Sequence, residues 1–534
     1  MLKSYLSRLQ TAFSYRFIFI LFIFQCFIKG IVFVIMSEGM LPLFKSMGID
    51  AVQLQVLGAL ALSPWTVKPL IGVMSDLIAV DGYHKKYWML FSIVIGTVSG
   101  VWLVIDIRIP ILITFLIAGV HFEIAVCDLL IEAQYAKLMR ENPNTGSDIV
   151  TLSTGFQQLG FIIGMCFIGP LADLGLFRVS NIIALGLLIT PIIPVLFNWM
   201  RDERRPDNPP YILLDTKRLR VEWKVILVVS LTGISAPAMG AITAFSYKWL
   251  GLLCSLIVIS LACIGGFAFM PHPLIGRVAL YQVLTQASRI SFSSALDYFF
   301  TADAVCLPNG PHFEYKFYIT LAGIVGAITG VVSVFIYQLL FSKWKYRNVL
   351  LFTTCLSGLG GLFDFIIVMR WNVAWGIPDS VFFLIGDDVL HTVVELLYWI
   401  PSSSIIGKVC PKHMESSVYA YLAGISNFGK MIAVIAGAML TEWAGIRTIQ
   451  AVQTRNSFGL FGIAKCESCN FANLEWLVLG GHIICMLLIS IPASFLILNV
   501  AQDVDLIGRE DKVKEEILQE EAQIRDIELN DIEF

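Results

Sequence analysis

The sequence predicts an all-α polytopic membrane protein of about fourteen spans, arranged as two six-helix halves with an inserted helix pair. Of its 534 residues, 57% are hydrophobic and 14% are charged, whereas soluble domains average about a quarter charged residues. Apolar windows of about 20 residues, the length that crosses a bilayer, recur along the chain. Short motifs of the N-terminal part also return in the C-terminal part. Twelve spans remain the alternative count.

The apolar segments are numbered spans 1 to 14 and follow one another with mostly short polar connections. They cover residues 17–36, 51–75, 87–105, 109–133, 149–172, 179–200, 225–246, 249–270, 280–302, 317–341, 348–369, 380–407, 416–441 and 475–500. The predicted organisation is an N-terminal segment (1–16), an N-terminal half (17–200), a basic loop (201–224), an inserted pair (225–270), a C-terminal half (280–500) and an acidic tail (501–534).

The orientation follows from the distribution of lysine and arginine. An even number of spans returns both termini to one side, and that side carries 24 of the 37 basic residues, against nine on the other side and four inside spans. Because loops rich in Lys and Arg remain in the cytoplasm, both termini are predicted to be cytoplasmic. The plasma membrane is the expected location, with an organelle membrane as the alternative.

The two halves resemble each other in sequence. Lys85–Phe91 after span 2 is echoed by Lys345–Phe352 after span 10, and three glycines of span 5 (Gly155, Gly160, Gly169) are echoed in span 13 (Gly424, Gly429, Gly437). Two six-helix halves in parallel repeat, with a site between them, are the arrangement of the major facilitators. The inserted pair has no internal acid or base apart from the turn at Lys248, so we expect a lipid-facing scaffold.

Span 2 and the turn after it predict a gate. Pro64 and Pro69 interrupt an apolar helix, which a membrane span tolerates where its neighbours satisfy the freed backbone groups. Asp76 near the end of the span, with Lys85 and Lys86 in the turn, is the expected latch on the cytoplasmic side. The alternative is a kinked helix with a packing role alone.

Two spans at matching places in the halves carry acidic faces. Helical periodicity puts four residues on one face of span 4 and four on one face of span 12. They are His121, Asp128, Glu132 and Tyr135 in span 4, and Asp388, His391, Glu395 and Tyr398 in span 12. Ionisable groups within spans are costly, so they line cavities or form pairs. We expect a proton or substrate relay, because such carboxylates and histidines titrate in the working range. The alternative is a set of salt bridges that only connects the halves.

Four basic residues inside spans complement these acids. They are Lys29, Lys68, Arg289 and Lys430. A substrate that carries carboxylates needs such cations, and arginine offers a bidentate fork. Trp65 could stack a flat ring. Pairing of the four cations with the acidic faces is an equally strong interpretation.

Other classes of function have little support in the sequence. No nucleophile, zinc or phosphate-loop motif is present, so an enzyme is not expected, and no cofactor or metal site is predicted. No basic face stands clear of the membrane to bind nucleic acid. Cys466 and Cys469 lack further zinc ligands nearby, so they are expected to form a disulfide or to have no role.

The residues of span 2 resemble a known family. The run Pro-Trp-Thr-Val-Lys-Pro-Leu-Ile-Gly-Val-Met-Ser-Asp at Pro64–Asp76 is similar to the second-span signature of the folate/biopterin transporters, a branch of the major facilitators. The doubly acidic fourth span agrees, although Glu132 stands where the family has aspartate. Gly376–Asp379 before Asp387, and the stretch from Cys410 to Gly429, also agree. The resemblance covers most of residues 15–500 and implies proton-driven uptake of folates or pteridines.

These observations together predict a secondary transporter that works by alternating access. Its partners would be a folate, a pterin or a related organic ion, protons and the lipid bilayer. A transporter of another small ion, such as S-adenosylmethionine, is the alternative within the class. The alternative outside the class is a membrane receptor or scaffold whose acidic tail recruits a cytosolic partner.

Overall fold

The computed structural model describes residues 13–105, 107–141, 146–204, 212–245, 248–270, 272–410, 415–448 and 469–502. Most of the predicted N-terminal segment, the middle of the basic loop, Cys466 and nearly all of the acidic tail lie outside these ranges. The described residues are mainly helical, as the apolar windows predicted.

Twelve helices in the described part of the chain are long and apolar enough to cross a membrane. They are Tyr15–Ser46, Ala51–Leu77, Lys86–Val104, Pro110–Gln134, Leu152–Asp173, Phe177–Leu196, Leu219–Phe245, Lys248–Phe269, Lys316–Phe341, Tyr346–Val368, Val418–Trp443 and Leu474–Leu496. They correspond to spans 1–8, 10, 11, 13 and 14. Four helices continue beyond the apolar stretch, with bounds Pro110–Glu141, Gly146–Asp173, Thr216–Phe245 and Glu415–Trp443.

The other two predicted spans are helical but depart from a uniform apolar helix. Span 9 consists of Pro273–Ser288 and Ser293–Phe300, with a break between them. Span 12 runs as Asp379–Phe383, a π-helical turn at Leu384–His391, and Thr392–Lys408. Its acids lower its hydropathy, and such residues in a span usually indicate function. Within the described residues, all fourteen predicted spans are therefore helical and follow the predicted order.

The connections between spans define two ends of the molecule. We call the end that carries Phe13 and the connections after the even-numbered spans the proximal end, and the opposite end the distal end. A small antiparallel sheet lies at the proximal end, where β1 (Ile78–Val80) pairs with β2 (Ile212–Leu214). It joins the turn after span 2 to the loop before the inserted pair.

Two pairs of spans show the closest glycine contacts between the described parts of the halves. Span 2 packs against span 13, where a Cβ at Gly424 would lie 2.6 Å from Pro69 Cγ. Span 5 packs against span 10, where a Cβ at Gly169 would lie 2.5 Å from Thr320 Oγ1. Since a larger side chain would separate these helices, the glycines permit the close approach at the seam between the halves.

The inserted pair is in contact with both halves. Gly233 of span 7 faces Leu70, and Gly240 faces Leu60 on one side and Met431 on the other. The outer surface is apolar and exposed, with Ile264 63% accessible. The expectation of a lipid-facing scaffold therefore describes only the outer side, because the inner side packs along the seam of spans 2 and 13.

A disulfide at the distal end has a different partner from the one expected. Cys469 is bonded to Cys306, whereas the sequence suggested Cys466, which lies outside the described residues. The bond connects the loop after span 9 to the segment before span 14. Nearness in sequence favoured the wrong pair, because the two partners are 163 residues apart.

Spans 1 and 5 of the N-terminal half yield a test of the packing. A Cβ at Gly160 would lie 2.1 Å from the Cys26 carbonyl oxygen, whereas a Cβ at Gly155 on the same helix would meet no atom within 4 Å. We expect Gly160→Ala to lower the free energy of unfolding by about 1–3 kcal/mol through overpacking. Gly155→Ala is the matched control and should be neutral or slightly stabilising. Thermal unfolding of the purified protein measures both, and equal effects would contradict this packing.

Candidate functional site

A buried carboxylate connects three spans of the N-terminal half. Asp128 of span 4 accepts from Lys29 of span 1 at 2.8 Å on one oxygen, and from Lys68 of span 2 at 2.5 Å on the other. Its side chain is 1% exposed. An ion buried in this way is tolerated only when its charge is compensated at close range. The two ammonium groups supply that compensation, and Gln25 donates a further hydrogen bond at 3.4 Å.

The second acid of span 4 is more loosely placed. Glu132 lies one turn after Asp128 and is 3.5 Å from the Lys29 ammonium. Its side chain is 35% exposed, against 17% for Lys29 and 16% for Lys68. The predicted face of span 4 is therefore present, and it brings together two of the predicted acids and two of the predicted cations. Their formal charges sum to zero.

Local backbone features place the two lysines. Lys29 lies in a π-helical segment, Ile23–Val32, a deviation that often occurs at functional sites. In span 2 the helix ends at Ala61 and restarts at Pro64, which is suited to a first helical position. The Lys68 ammonium lies 4.9 Å from the centre of the Trp65 ring, and the Trp65 indole is 3.4 Å from His121 Nδ1.

Arg289 occupies the break in span 9 of the C-terminal half. Its guanidinium lies over the Tyr398 ring, 4.7 Å from the centre. The Tyr398 hydroxyl is hydrogen-bonded to Gln282, Thr285 and Gln286 at 3.0, 3.2 and 3.3 Å. The Arg289 Nε is buried and lacks a hydrogen-bond partner, and no carboxylate of the described residues pairs with this side chain. Arg289 is thus a half-buried cation without an anionic partner among the described residues.

Lys430 of span 13 is the fourth predicted cation. It is exposed, and no ion pair in the described part of the chain includes it. Asn427, one turn earlier, donates to the Trp65 carbonyl at 3.4 Å, so this part of span 13 lies against the N-terminal half. Lys430 therefore lies beside the seam.

The predicted face of span 12 does not form one cluster. Tyr398 is buried beneath Arg289, Asp388 is half-buried with an unpartnered Oδ2, and His391 and Glu395 are exposed. Within the described ranges no hydrogen bond or ion pair connects these three titratable residues to Lys29, Lys68 or Arg289. The π-helical turn at Leu384–His391 changes the angular position of Asp388 relative to the α-helix that carries Glu395 and Tyr398, which regular helical periodicity could not predict.

Sequence reasoning missed several polar pairs inside the spans. His482 of span 14 is 3.0 Å from Asp364 of span 11, and the Tyr318 hydroxyl donates to Asp297 at 2.6 Å. Asp364 and His482 are both ionisable residues inside apolar spans, so each could have been selected individually from the sequence. Their pairing depends on how distant spans pack, so the sequence carried no signal for it.

The proximal turn is organised by an acid that the sequence analysis did not select. The Asp202 carboxylate accepts from the backbone N–H groups of Lys85 and Lys86 at 2.8 and 3.0 Å, and the Lys85 ammonium donates to Gln134 at 3.0 Å. Asp202 and Gln134 therefore join Lys85 and Lys86 in the predicted latch region.

Polar contacts join the two halves at the distal end. Lys45 donates to Thr301 Oγ1 at 2.9 Å, and Gln55 donates to the carbonyls of Ser291 and Val434 at 2.7 and 2.8 Å. Asp173 accepts from the backbone of Tyr315 and Lys316 at 2.8 Å each, which caps the start of span 10. We call these contacts the distal seal.

Two helical halves with charged and aromatic side chains along their seam define a membrane transporter of the major-facilitator type. Solved structures agree on the fold. The superposition on the in meso structure of the POT family transporter PepTSo covers 90% of this chain and 98% of the PepTSo chain. Its TM-score is 0.64 at 13% sequence identity. The superposition on the nucleoside transporter NupG covers 90% of this chain and 96% of the NupG chain, with a TM-score of 0.51 at 14% sequence identity.

The chain belongs to the BT1 family, whose model matches residues 29–517. It is similar to "Probable folate-biopterin transporter 6" of Arabidopsis thaliana, 24% identical over 74% of this chain and 68% of the relative. The "Folate-biopterin transporter" of Synechocystis is 23% identical over 76% and 70%. "Folate transporter 1" of Plasmodium falciparum is 22% identical over 81% and 70%. The resemblance read from span 2 is confirmed.

The cluster around Asp128 predicts unequal effects of its two acids on stability. We expect Asp128→Asn to lower the free energy of unfolding by about 3–5 kcal/mol, because two half-buried lysines lose their shared, fully buried carboxylate. Glu132→Gln removes one partly exposed contact and should change the free energy of unfolding by less than about 1 kcal/mol. Thermal unfolding and the yield of monodisperse protein measure both effects. Equal loss in the two variants would show that Asp128 is not the central partner.

Proposed function

We propose that this transporter moves folates or pteridines across the membrane by alternating access, with protons as the coupling ion. The observation that carries the proposal is Arg289, a cation half-buried in a span without an anionic partner among the described residues. Such a charge is costly unless a ligand compensates it. The relatives named as folate or folate-biopterin transporters support the substrate class.

The substrate would bind at the seam between the halves. Arg289 offers a planar fork for a carboxylate, and Lys430 of span 13 would add a second positive charge. Trp65 supplies an aromatic face beside Lys68, against which a flat pterin ring can stack. Because Lys29 and Lys68 already have acidic partners, Arg289 and Lys430 are the proposed primary anchors.

The acids inside the spans supply the proposed proton coupling. Asp128 and Glu132 belong to the N-terminal cluster, whereas Asp388, His391 and Glu395 would act separately in the C-terminal half. Carboxylate and imidazole groups in a cavity of low dielectric constant can exchange protons as the cavity opens to either side. The two halves thus contribute titratable groups at different places along the seam.

The distal seal supports the alternating-access part of the proposal. The structure corresponds to a state in which the halves are joined at the distal end, and the opposite state requires these hydrogen bonds to break. Pro64 and Pro69 would allow span 2 to bend during that change. Asp76, Lys85 and Lys86, together with Asp202, would form the proximal gate.

The proposed location is the plasma membrane, with both termini in the cytoplasm. The excess of lysine and arginine on the side of the termini supports this orientation. The Cys306–Cys469 bond lies at the distal end, and disulfides persist in oxidising compartments. An extracellular distal end satisfies both observations.

Uptake into proteoliposomes tests the function directly. Purified protein is reconstituted, and accumulation of radiolabelled folic acid and biopterin is followed with and without an inward proton gradient. We expect accumulation above the equilibrium level only with the gradient, and its collapse by a protonophore. Uptake that ignores the gradient would exclude proton coupling, and no uptake of either compound by folded protein would exclude the substrate class.

Arg289 predicts a difference between charged and neutral substrates. We expect Arg289→Gln to reduce folic acid uptake by at least about tenfold, in line with the loss of a buried hydrogen-bonded charge pair. Biopterin has no carboxylate, so its uptake should change by less than about threefold. Arg178→Gln, at an exposed arginine of span 6, is the matched control and should leave both unchanged. Equal loss of both substrates in Arg289→Gln would contradict a role as carboxylate anchor.

A further inference from the structure

The two acids of span 4 differ in how firmly they are held. Asp128 has an ammonium partner on each oxygen, at 2.8 and 2.5 Å, and is 1% exposed. Glu132 has one contact, to the Lys29 ammonium at 3.5 Å, and is 35% exposed. Lys29 therefore has one close partner and one distant partner. The distant partner is the one that a dissolved anion can reach and replace.

We propose that Glu132 is the resident anion of a second anion-binding subsite on Lys29, and that a carboxylate of the substrate displaces it. This inference rests on the proposed function, since it assumes an anionic substrate. Asp128 stays in place as the fixed counter-ion of Lys29 and Lys68. Glu132 then determines how tightly carboxylate-bearing ligands bind, whereas Asp128 positions the lysines.

The charges around Glu132 show what displacement requires. The facing groups are Asp128 on the same span, Lys29 from span 1, Lys68 from span 2 and Tyr419, which lies within electrostatic range from span 13. With both acids ionised the cluster is neutral. A ligand carboxylate on Lys29 adds one negative charge beside an ionised Glu132, which lies 3.5 Å from the same ammonium. Two carboxylates so close to one another repel.

Uptake of one proton by Glu132 removes that repulsion. The proton comes from water on the open side of the cavity, bonds to a carboxylate oxygen of Glu132 and restores the net charge to zero. Binding of one carboxylate at Lys29 is thereby linked to uptake of one proton. A ligand without a carboxylate does not displace Glu132 and takes up no proton at this position.

The subsite also affects ligand choice. A ligand with two carboxylates carries one anion for each of the two proposed cations, Arg289 in the C-terminal half and Lys29 in the N-terminal half. A neutral pterin uses neither. Glu132 would therefore discriminate between dicarboxylate ligands and neutral pterins, because it competes only with the former.

Calorimetric titration of purified wild type and Glu132→Gln tests the proposal. Folic acid and biopterin are titrated in two buffers with different ionisation enthalpies, which gives both the Kd and the number of protons taken up. We expect Glu132→Gln to lower the Kd of folic acid by about fivefold, as for removal of one partly exposed competing ion pair. Proton uptake per folic acid should fall by about one. The Kd of biopterin should change by less than about twofold.

A matched variant controls for the loss of a carboxylate as such. Glu442 pairs with Lys248 at the distal end, with an oxygen 2.8 Å from the ammonium, so Glu442→Gln should leave both Kd values and the proton count unchanged. Weaker folic acid binding in Glu132→Gln, or an unchanged Kd and proton count, would overturn the proposal.

A separate probe distinguishes failure of this inference from failure of the proposed function. If wild type does not bind folic acid, the proposed substrate is wrong, and N-benzoylglutamate, a dicarboxylate without the pterin ring, becomes the probe. Tighter binding of this compound to Glu132→Gln than to wild type would support the subsite. Equal affinity, or no binding to either protein, would overturn it.

Discussion

The shared carboxylate of Asp128 is the interaction on which the N-terminal half depends. A single buried anion orients Lys29 of span 1 and Lys68 of span 2, and all three groups lie inside membrane spans. Both lysines depend on it for close charge compensation, since an unpaired charge in the bilayer costs several kcal/mol. The position of Trp65 follows from the same constraint, because its ring lies against the Lys68 ammonium. The Asp128 carboxylate therefore orients both lysines directly and the Trp65 ring indirectly, through Lys68.

The C-terminal half holds its intramembrane cation, Arg289, without a carboxylate partner among the described residues. Arg289 lies in a helix break over Tyr398, and three polar side chains bind the Tyr398 hydroxyl. The network orients the ring and the guanidinium above it but supplies no negative charge. One half therefore neutralises its own cations, whereas the other half leaves a cation for a ligand. The two halves therefore differ in whether their intramembrane cations are already compensated by the protein's own acids.

Much of this organisation was predictable from the sequence, for physical reasons. Hydropathy located the spans, including span 12, whose acids reduce its apolarity. Helical spacing put Asp128 and Glu132 on one face, and their contacts with Lys29 agree with it. Helical periodicity failed where the backbone leaves regular α-helical geometry, as at the π-helical turn Leu384–His391, which contains Asp388 and precedes the α-helix that carries Glu395 and Tyr398. Sequence reasoning also failed for Cys306–Cys469 and for Asp364–His482, because these pairs depend on the packing of distant segments.

The inserted pair and the distal seal place different limits on motion between the halves. The seal consists of directional hydrogen bonds, such as those from Gln55 to Ser291 and Val434, which break when the halves separate by more than about 1 Å. Span 7 instead contacts both halves through apolar side chains beside glycines, among them Leu60, Leu70 and Met431. Contacts of this kind tolerate small sliding without the loss of a directional bond. Span 7 can therefore tolerate small sliding along the seam of spans 2 and 13, whereas the distal seal cannot.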